Sequence, residues 1–112
     1  KYDRAAAVLG DLLRMQTEPI VILGAIGKEL RRLYTARMAI DAGKDRFWLT
    51  ELWQMRSDYP AKLLLQAARN VDHEWCKRSL PACQVLDRRM KSEKNIDREG
   101  ELTKFVLELA QK

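Results

Sequence analysis

The run from Glu18 to Leu33 (Glu-Pro-Ile-Val-Ile-Leu-Gly-Ala-Ile-Gly-Lys-Glu-Leu-Arg-Arg-Leu) admits one regular structure. Pro19 suits the first helical position, where its missing N–H costs nothing. Apolar residues then return at Leu23, Ile26, Leu30, Leu33 and Tyr34, one face of a helix. Lys28, Glu29, Arg31, Arg32 and Thr35 form the other face. Gly24 and Gly27 lie inside this pattern, and each costs a helix about 1 kcal/mol against alanine. Their presence predicts a second backbone packed close to them. The spacing gives a helix over 19–42, ended by Gly43 as a left-handed residue.

The same reasoning sets out the rest of the chain as six helical segments and no strand. A first helix covers 3–15, with Val8, Leu9, Leu12 and Leu13 inward and Gly10 weakening it. A short helix covers 47–55. The cluster Ser57-Asp58-Tyr59-Pro60 breaks the chain, offering Ser57 or Asp58 as cap and Pro60 in the first turn of a helix over 61–70. That helix carries Leu63, Leu64, Leu65, Ala67 and Ala68 and is apolar nearly all round, which predicts a central, deeply buried position. Asp72 caps a helix over 73–92, with Cys76, Leu80, Cys83, Leu86 and Met90 inward and a kink or break expected at Pro81. Asp97 caps the last helix, where Leu102, Phe105, Val106, Leu109 and Ala110 make a continuous stripe.

Composition fits one helical domain. The chain has 112 residues, 46% apolar and 33% charged, with three prolines. No apolar run is long enough for a membrane span. Lys1-Tyr2-Asp3-Arg4 leads straight into a helical pattern, so no secretory leader is expected, and the absence of an initiator methionine reads as a segment of a longer protein. Cys76 and Cys83, seven residues apart on one helix, would have Cα atoms about 10 Å apart, too far for a disulfide. Two reduced thiols point to a cytoplasmic setting.

No catalytic, cofactor-binding or metal-binding constellation is expected. His73 has one soft neighbour, Cys76, whereas a structural zinc site needs four ligands. A Cys-His nucleophilic pair would need a third, orienting group and an oxyanion hole. Gly24-Ala25-Ile26-Gly27 lies in a helix without the preceding strand of a phosphate loop. Glu99 and Glu101 suit the first turn of a helix and need no chemical role.

Two surfaces remain. Phe47, Trp48, Trp53 and Tyr59 cluster in and after the short helix. They form either a satellite core or a subunit contact, for which Trp48, Trp53 and Tyr59 are the candidates. On a helix Trp48 and Trp53 point about 140° apart, which places one of them outside the main core. The net charge of +5 is concentrated between Lys77 and Arg98, where seven bases against three acids give +4. Arg88, Lys91, Lys94 and Arg98 surround the last inter-helix loop and are candidate DNA contacts; a solvated face or pairing with an acidic neighbour is the alternative.

The order and spacing of these pieces resemble the C-terminal collar domain of the delta subunit of the bacterial DNA polymerase III clamp loader. The resemblance starts at Ala5 to Met15 and the Glu-Pro helix. It continues through Lys62-Leu63-Leu64-Leu65-Gln66-Ala67-Ala68-Arg69. It closes on Leu86-Asp87-Arg88-Arg89-Met90-Lys91 and the helix opened by Glu101-Leu102. The aromatic stretch Phe47 to Trp53 is the departure from it. The resemblance implies an all-α bundle of five or six helices forming a single collar domain over 1–112. It also implies AAA+-like domains upstream that bind the sliding clamp. The collar itself would be non-catalytic and would hold delta beside delta-prime and the motor subunits in a five-membered ring. The rival reading is a self-contained basic helical nucleic-acid-binding domain. Against it, the helix over 61–70 is too apolar for an exposed recognition helix.

Overall fold

The structure, a computed structural model, describes residues 11, 15 and 17–110. Among them are five helices and no strand: α1 Pro19–Asp41, α2 Arg46–Leu52, α3 Tyr59–Ala68, α4 His73–Ser92 and α5 Arg98–Leu109. The all-helical class read from the periodicity is therefore correct. The helix expected over 3–15, with its inward residues, lies outside the described residues.

Local chemistry sets most of the helix ends. Pro19 opens α1, and the Glu18 carbonyl accepts from Val21 and Ile22 at 3.0 and 3.2 Å. Gly43 closes it at φ 72°. Its N–H reaches the Ile40 carbonyl at 3.0 Å and that of Lys44 reaches Ala39 at 2.8 Å, so the last carbonyls of the helix are satisfied. The end of α2 repeats this geometry without a glycine. Gln54 sits at φ 52°, and the N–H groups of Gln54 and Met55 reach Glu51 and Thr50 at 3.1 and 2.9 Å. This turn stops α2 at Leu52, short of the expected 55. At α5 the Asp97 carboxylate accepts from the Gly100 N–H at 3.0 Å.

Three expectations need correction. Asp58 begins α3 without capping it by its side chain; its carboxylate pairs with Arg46 Nε at 2.8 Å instead. Helix α4 runs unbroken through Pro81. That proline and Lys77, whose carbonyl loses its N–H partner, are both exposed residues. Gly24 is also exposed, and a Cβ built there meets nothing within 4 Å, so no second backbone among the described residues packs against it. Gly27 is buried.

The chain divides into two compact units, Lys1–Lys28 with Arg78–Lys112, and Glu29–Lys77. In the first, Leu23, Met90 and Leu102 are fully buried, joined by Ile22, Cys83, Leu86, Phe105 and Val106. Of the inward faces read for α4 and α5, Cys76, Cys83, Leu86, Met90, Leu102, Phe105 and Val106 are buried, while Leu80, Leu109 and Ala110 are half-buried. The core of the second unit is Ala36, Ala39, Leu49, Ala61 and Ala68, with Leu33, Ile40, Trp53, Met55, Leu64 and Leu65 half-buried around it. Helix α3 thus does not fill the deeply buried position its leucines predict. Only Ala61 and Ala68 are buried, Leu64 and Leu65 are half-buried, and Leu63 is 46% exposed. Small residues line the inner face, and the helices approach through alanines rather than interlocking leucines.

Candidate functional site

The unit Glu29–Lys77 carries the aromatic group. Asp45 caps α2, its carboxylate accepting from the Trp48 N–H at 3.0 Å. This starts the helix one residue after the cap and turns Phe47 and Trp48 outward, 59% and 39% exposed. Leu49 turns inward and is completely buried. Tyr59 begins α3 at 61% exposure. Trp53, the residue closing α2, is half-buried on the core. One tryptophan thus faces solvent while the other packs inward, the split that their helical spacing requires.

Sequence reasoning missed the cations over these rings. Arg32 lies 5.5 Å from the Trp53 centroid, Lys44 5.9 Å from Trp48, and Arg46 4.9 Å from Phe47. Lys44 and Arg46 precede the rings by four residues and one residue, so local spacing held a signal. Arg32 comes from α1 and is brought to Trp53 only by the fold. A guanidinium or ammonium over an aromatic face is worth about 0.5–1 kcal/mol at an exposed site.

A second arrangement ties α1 to the junction of α3 and α4. Arg37 Nη1 donates to the carbonyls of Ala68 and Arg69 at 3.3 and 3.0 Å, and its Nη2 to Asp41 at 3.0 Å. Its Nε is buried without a partner. Asp41 also bonds His73 Nε2, and Tyr34 meets the His73 ring edge-on at 5.9 Å. The His73 hydrogen bond chiefly, helped by the Arg37 charge and opposed by partial desolvation, holds the Asp41 carboxyl below its ordinary value of 3.8. His73 therefore braces helix ends. Burial, with a contribution from Asp72, pushes the Cys76 thiol upward, the opposite of what activates a nucleophile. Among the described residues no group of three or more His, Cys, Asp or Glu could hold a metal ion.

The basic segment is more compensated than its charge count suggests. Arg89 pairs with Glu93 at 2.9 Å and Glu101 at 3.5 Å, and Lys91 with Asp87 at 2.8 Å. Arg98 Nη2 donates to the Met90 carbonyl at 2.8 Å, closing the end of α4. Of the four candidate DNA contacts, Lys91 and Arg98 are thus engaged within the fold. Arg88 and Lys94 are exposed and enter none of these pairs. Helix α3 also shows solvent a polar face, Lys62, Gln66 and Arg69. Leu63 stands among them at 46% exposure, so the outer face is mixed, apolar and polar.

These features define an all-helical domain whose exposed chemistry is aromatic and cationic, with no helix among the described residues long and apolar enough to cross a membrane. The family model for the C-terminal domain of the DNA polymerase III delta subunit matches residues 1–109. The chain belongs to that family. No curated protein and no solved structure matches it.

Proposed function

We propose that this chain is the collar domain of a delta subunit and that it works by association. It holds delta beside delta-prime and the motor subunits in the hetero-pentameric ring that loads the sliding clamp during replication. The reading rests on the family match over 1–109. It is non-catalytic. It uses neither metal nor cofactor, acts in the cytoplasm and forms one domain of a longer chain. Clamp contact belongs to the domains upstream.

The exposed group around α2 supports association as the means. Trp48 and Tyr59 present large rings, and Trp48 is already partly held by Lys44, so little of its side-chain freedom is lost when a neighbour covers it. Trp53 contributes through the edge left open on the core. Around Arg88 and Lys94, with Lys91 and Arg98 beside them, weak non-specific phosphate contact in the assembled ring is a secondary role. The test is capture of delta-prime and motor subunits by a tagged subunit carrying this domain. Trp48→Ala with Tyr59→Ala should weaken capture at least tenfold while leaving thermal unfolding unchanged. Undiminished capture would remove this face from the interface.

A further inference from the structure

In the unit Glu29–Lys77 an open groove of about 450 Å³ runs between the α1–α2 turn and the outer face of α3. Its apolar surface comes from Ile40, Phe47 and Leu65. Around them stand four bases, Lys44, Arg46, Lys62 and Arg69, and one acid, Asp45. The charges are not equivalent. Asp45 is spent on capping α2, and Arg46 is paired with Asp58 at 2.8 Å and lies over Phe47. Lys44 lies over Trp48. Lys62 and Arg69 are exposed and enter no ion pair described for this fold. They stand seven residues apart, Lys62 on α3 and Arg69 as the helical residue closing it, two turns, so their Cα atoms are about 10 Å apart on one face. Leu65 and Gln66 lie between them.

We propose that this groove binds an acidic protein segment in extended conformation, with two carboxylates four residues apart flanking an apolar side chain on the same face. Side chains of an extended chain alternate, so positions i, i+2 and i+4 share one face, and four residues span about 13 Å, which the long side chains of Lys62 and Arg69 reach from Cα atoms about 10 Å apart. One carboxylate meets each base, and the apolar side chain between them covers Leu65, Ile40 and the edge of Phe47. A protein segment fits better than a nucleic acid strand. Stacking of bases needs open aromatic faces, and here Arg46 already lies over Phe47 and Lys44 over Trp48. The apolar floor is mainly aliphatic and takes an aliphatic side chain more readily than a base. Nothing in this assignment depends on the ring architecture above, since the charges and spacing belong to this unit alone.

The probe is a fluorescein-labelled peptide, Gly-Ser-Glu-Ser-Leu-Ser-Glu-Ser-Gly, titrated into the full chain and followed by anisotropy. Saturable binding with a dissociation constant below about 1 mM is expected, weakening as salt rises. Lys62→Glu with Arg69→Glu should lower affinity at least tenfold and transfer preference to the peptide carrying lysine at both glutamate positions. Lys62→Gln with Arg69→Gln, a milder change at two exposed sites, should also lower affinity several-fold, with helicity by circular dichroism unchanged. No binding at 1 mM, equal affinity for the lysine peptide with the unmodified chain, or indifference to both double variants overturns the proposal. Binding of a labelled oligothymidylate in preference to the acidic peptide, lost in the same variants, also overturns it and assigns the groove to single-stranded nucleic acid.

Discussion

At the scale of single residues, two turns of similar geometry use different side chains. Gly43 takes its positive φ freely, but Gln54 holds φ 52° with a Cβ in place. A non-glycine residue there costs on the order of 1 kcal/mol, and a β-branched one more. Gln54→Gly should therefore raise stability by up to about 1 kcal/mol, and Gln54→Val should lower it, as read by urea unfolding. Gly100 presents the opposite case. A Cβ at Gly100 would come within 2.2 Å of the Asp97 carboxylate that caps α5. Gly100→Ala should displace that cap and cost about 1 kcal/mol despite alanine's better helix propensity. Asp97→Ala should cost the same, and the double variant less than the sum, because both changes remove one interaction.

Arg37 donates to three partners, the Ala68 and Arg69 carbonyls and the Asp41 carboxylate. Its two carbonyl bonds neutralise the end of α3, where the helix dipole is negative. Arg37→Ala should destabilise by about 1–3 kcal/mol, the usual range for hydrogen bonds to a charged group. Its neighbour Asp41 adds a pH dependence of definite sign. Because its folded pKa lies below 3.8, the unfolded chain binds the proton more readily. The stabilisation is present above that value and disappears as pH falls through the lower folded pKa. Melting temperatures of the natural chain and Asp41→Asn should converge on acidification below about pH 4. A constant gap across that range would contradict the Asp41 geometry.

At the scale of helices, local signals were legible in the sequence and the choice of buried face was legible only where one face stood out. Pro19, Gly43, Asp72 and Asp97 act within four residues of themselves, so their roles follow from position. Asp72 accepts from the Glu74 N–H at 3.1 Å, as its placement suggests. The stripes of α4 and α5 are narrow and mostly polar on the far side, and most of their expected inward residues are buried. Helix α3 failed that reading because Leu63-Leu64-Leu65 spans most of a turn and marks no face. The pairing of Asp58 with Arg46 was also illegible. It competes with capping and requires α2 and α3 to be side by side, which they are. The consequence is measurable. Leu49→Ala, at a completely buried site, should cost about 2–5 kcal/mol, whereas Leu63→Ala should cost well under 1 kcal/mol.

At the scale of the whole chain, function was legible by resemblance and not by chemistry. Nothing in the spacing of His73, Cys76 or the carboxylates points to a reaction, and association leaves no motif comparable to a metal site. The surfaces proposed to serve association, Trp48 and Tyr59 on α2 and α3, could be ranked only once exposure was known. The basic segment shows the reverse: a clear excess of charge in the sequence, much of it consumed by Glu93, Glu101, Asp87 and the Met90 carbonyl. Replacing Arg88 and Lys94 by glutamate in the assembled ring should weaken binding to primed DNA modestly and flatten its salt dependence. Unchanged affinity and slope would make the patch a solvated face.

The role proposed for this domain is to hold its subunit in a five-membered ring. The direct measurement is native mass spectrometry of delta-prime and the motor subunits mixed with the full-length delta subunit, with and without residues 1–112. A hetero-pentamer containing one delta is expected only when the domain is present. A complete ring formed by delta lacking the domain, or no ring with the domain intact, would contradict it.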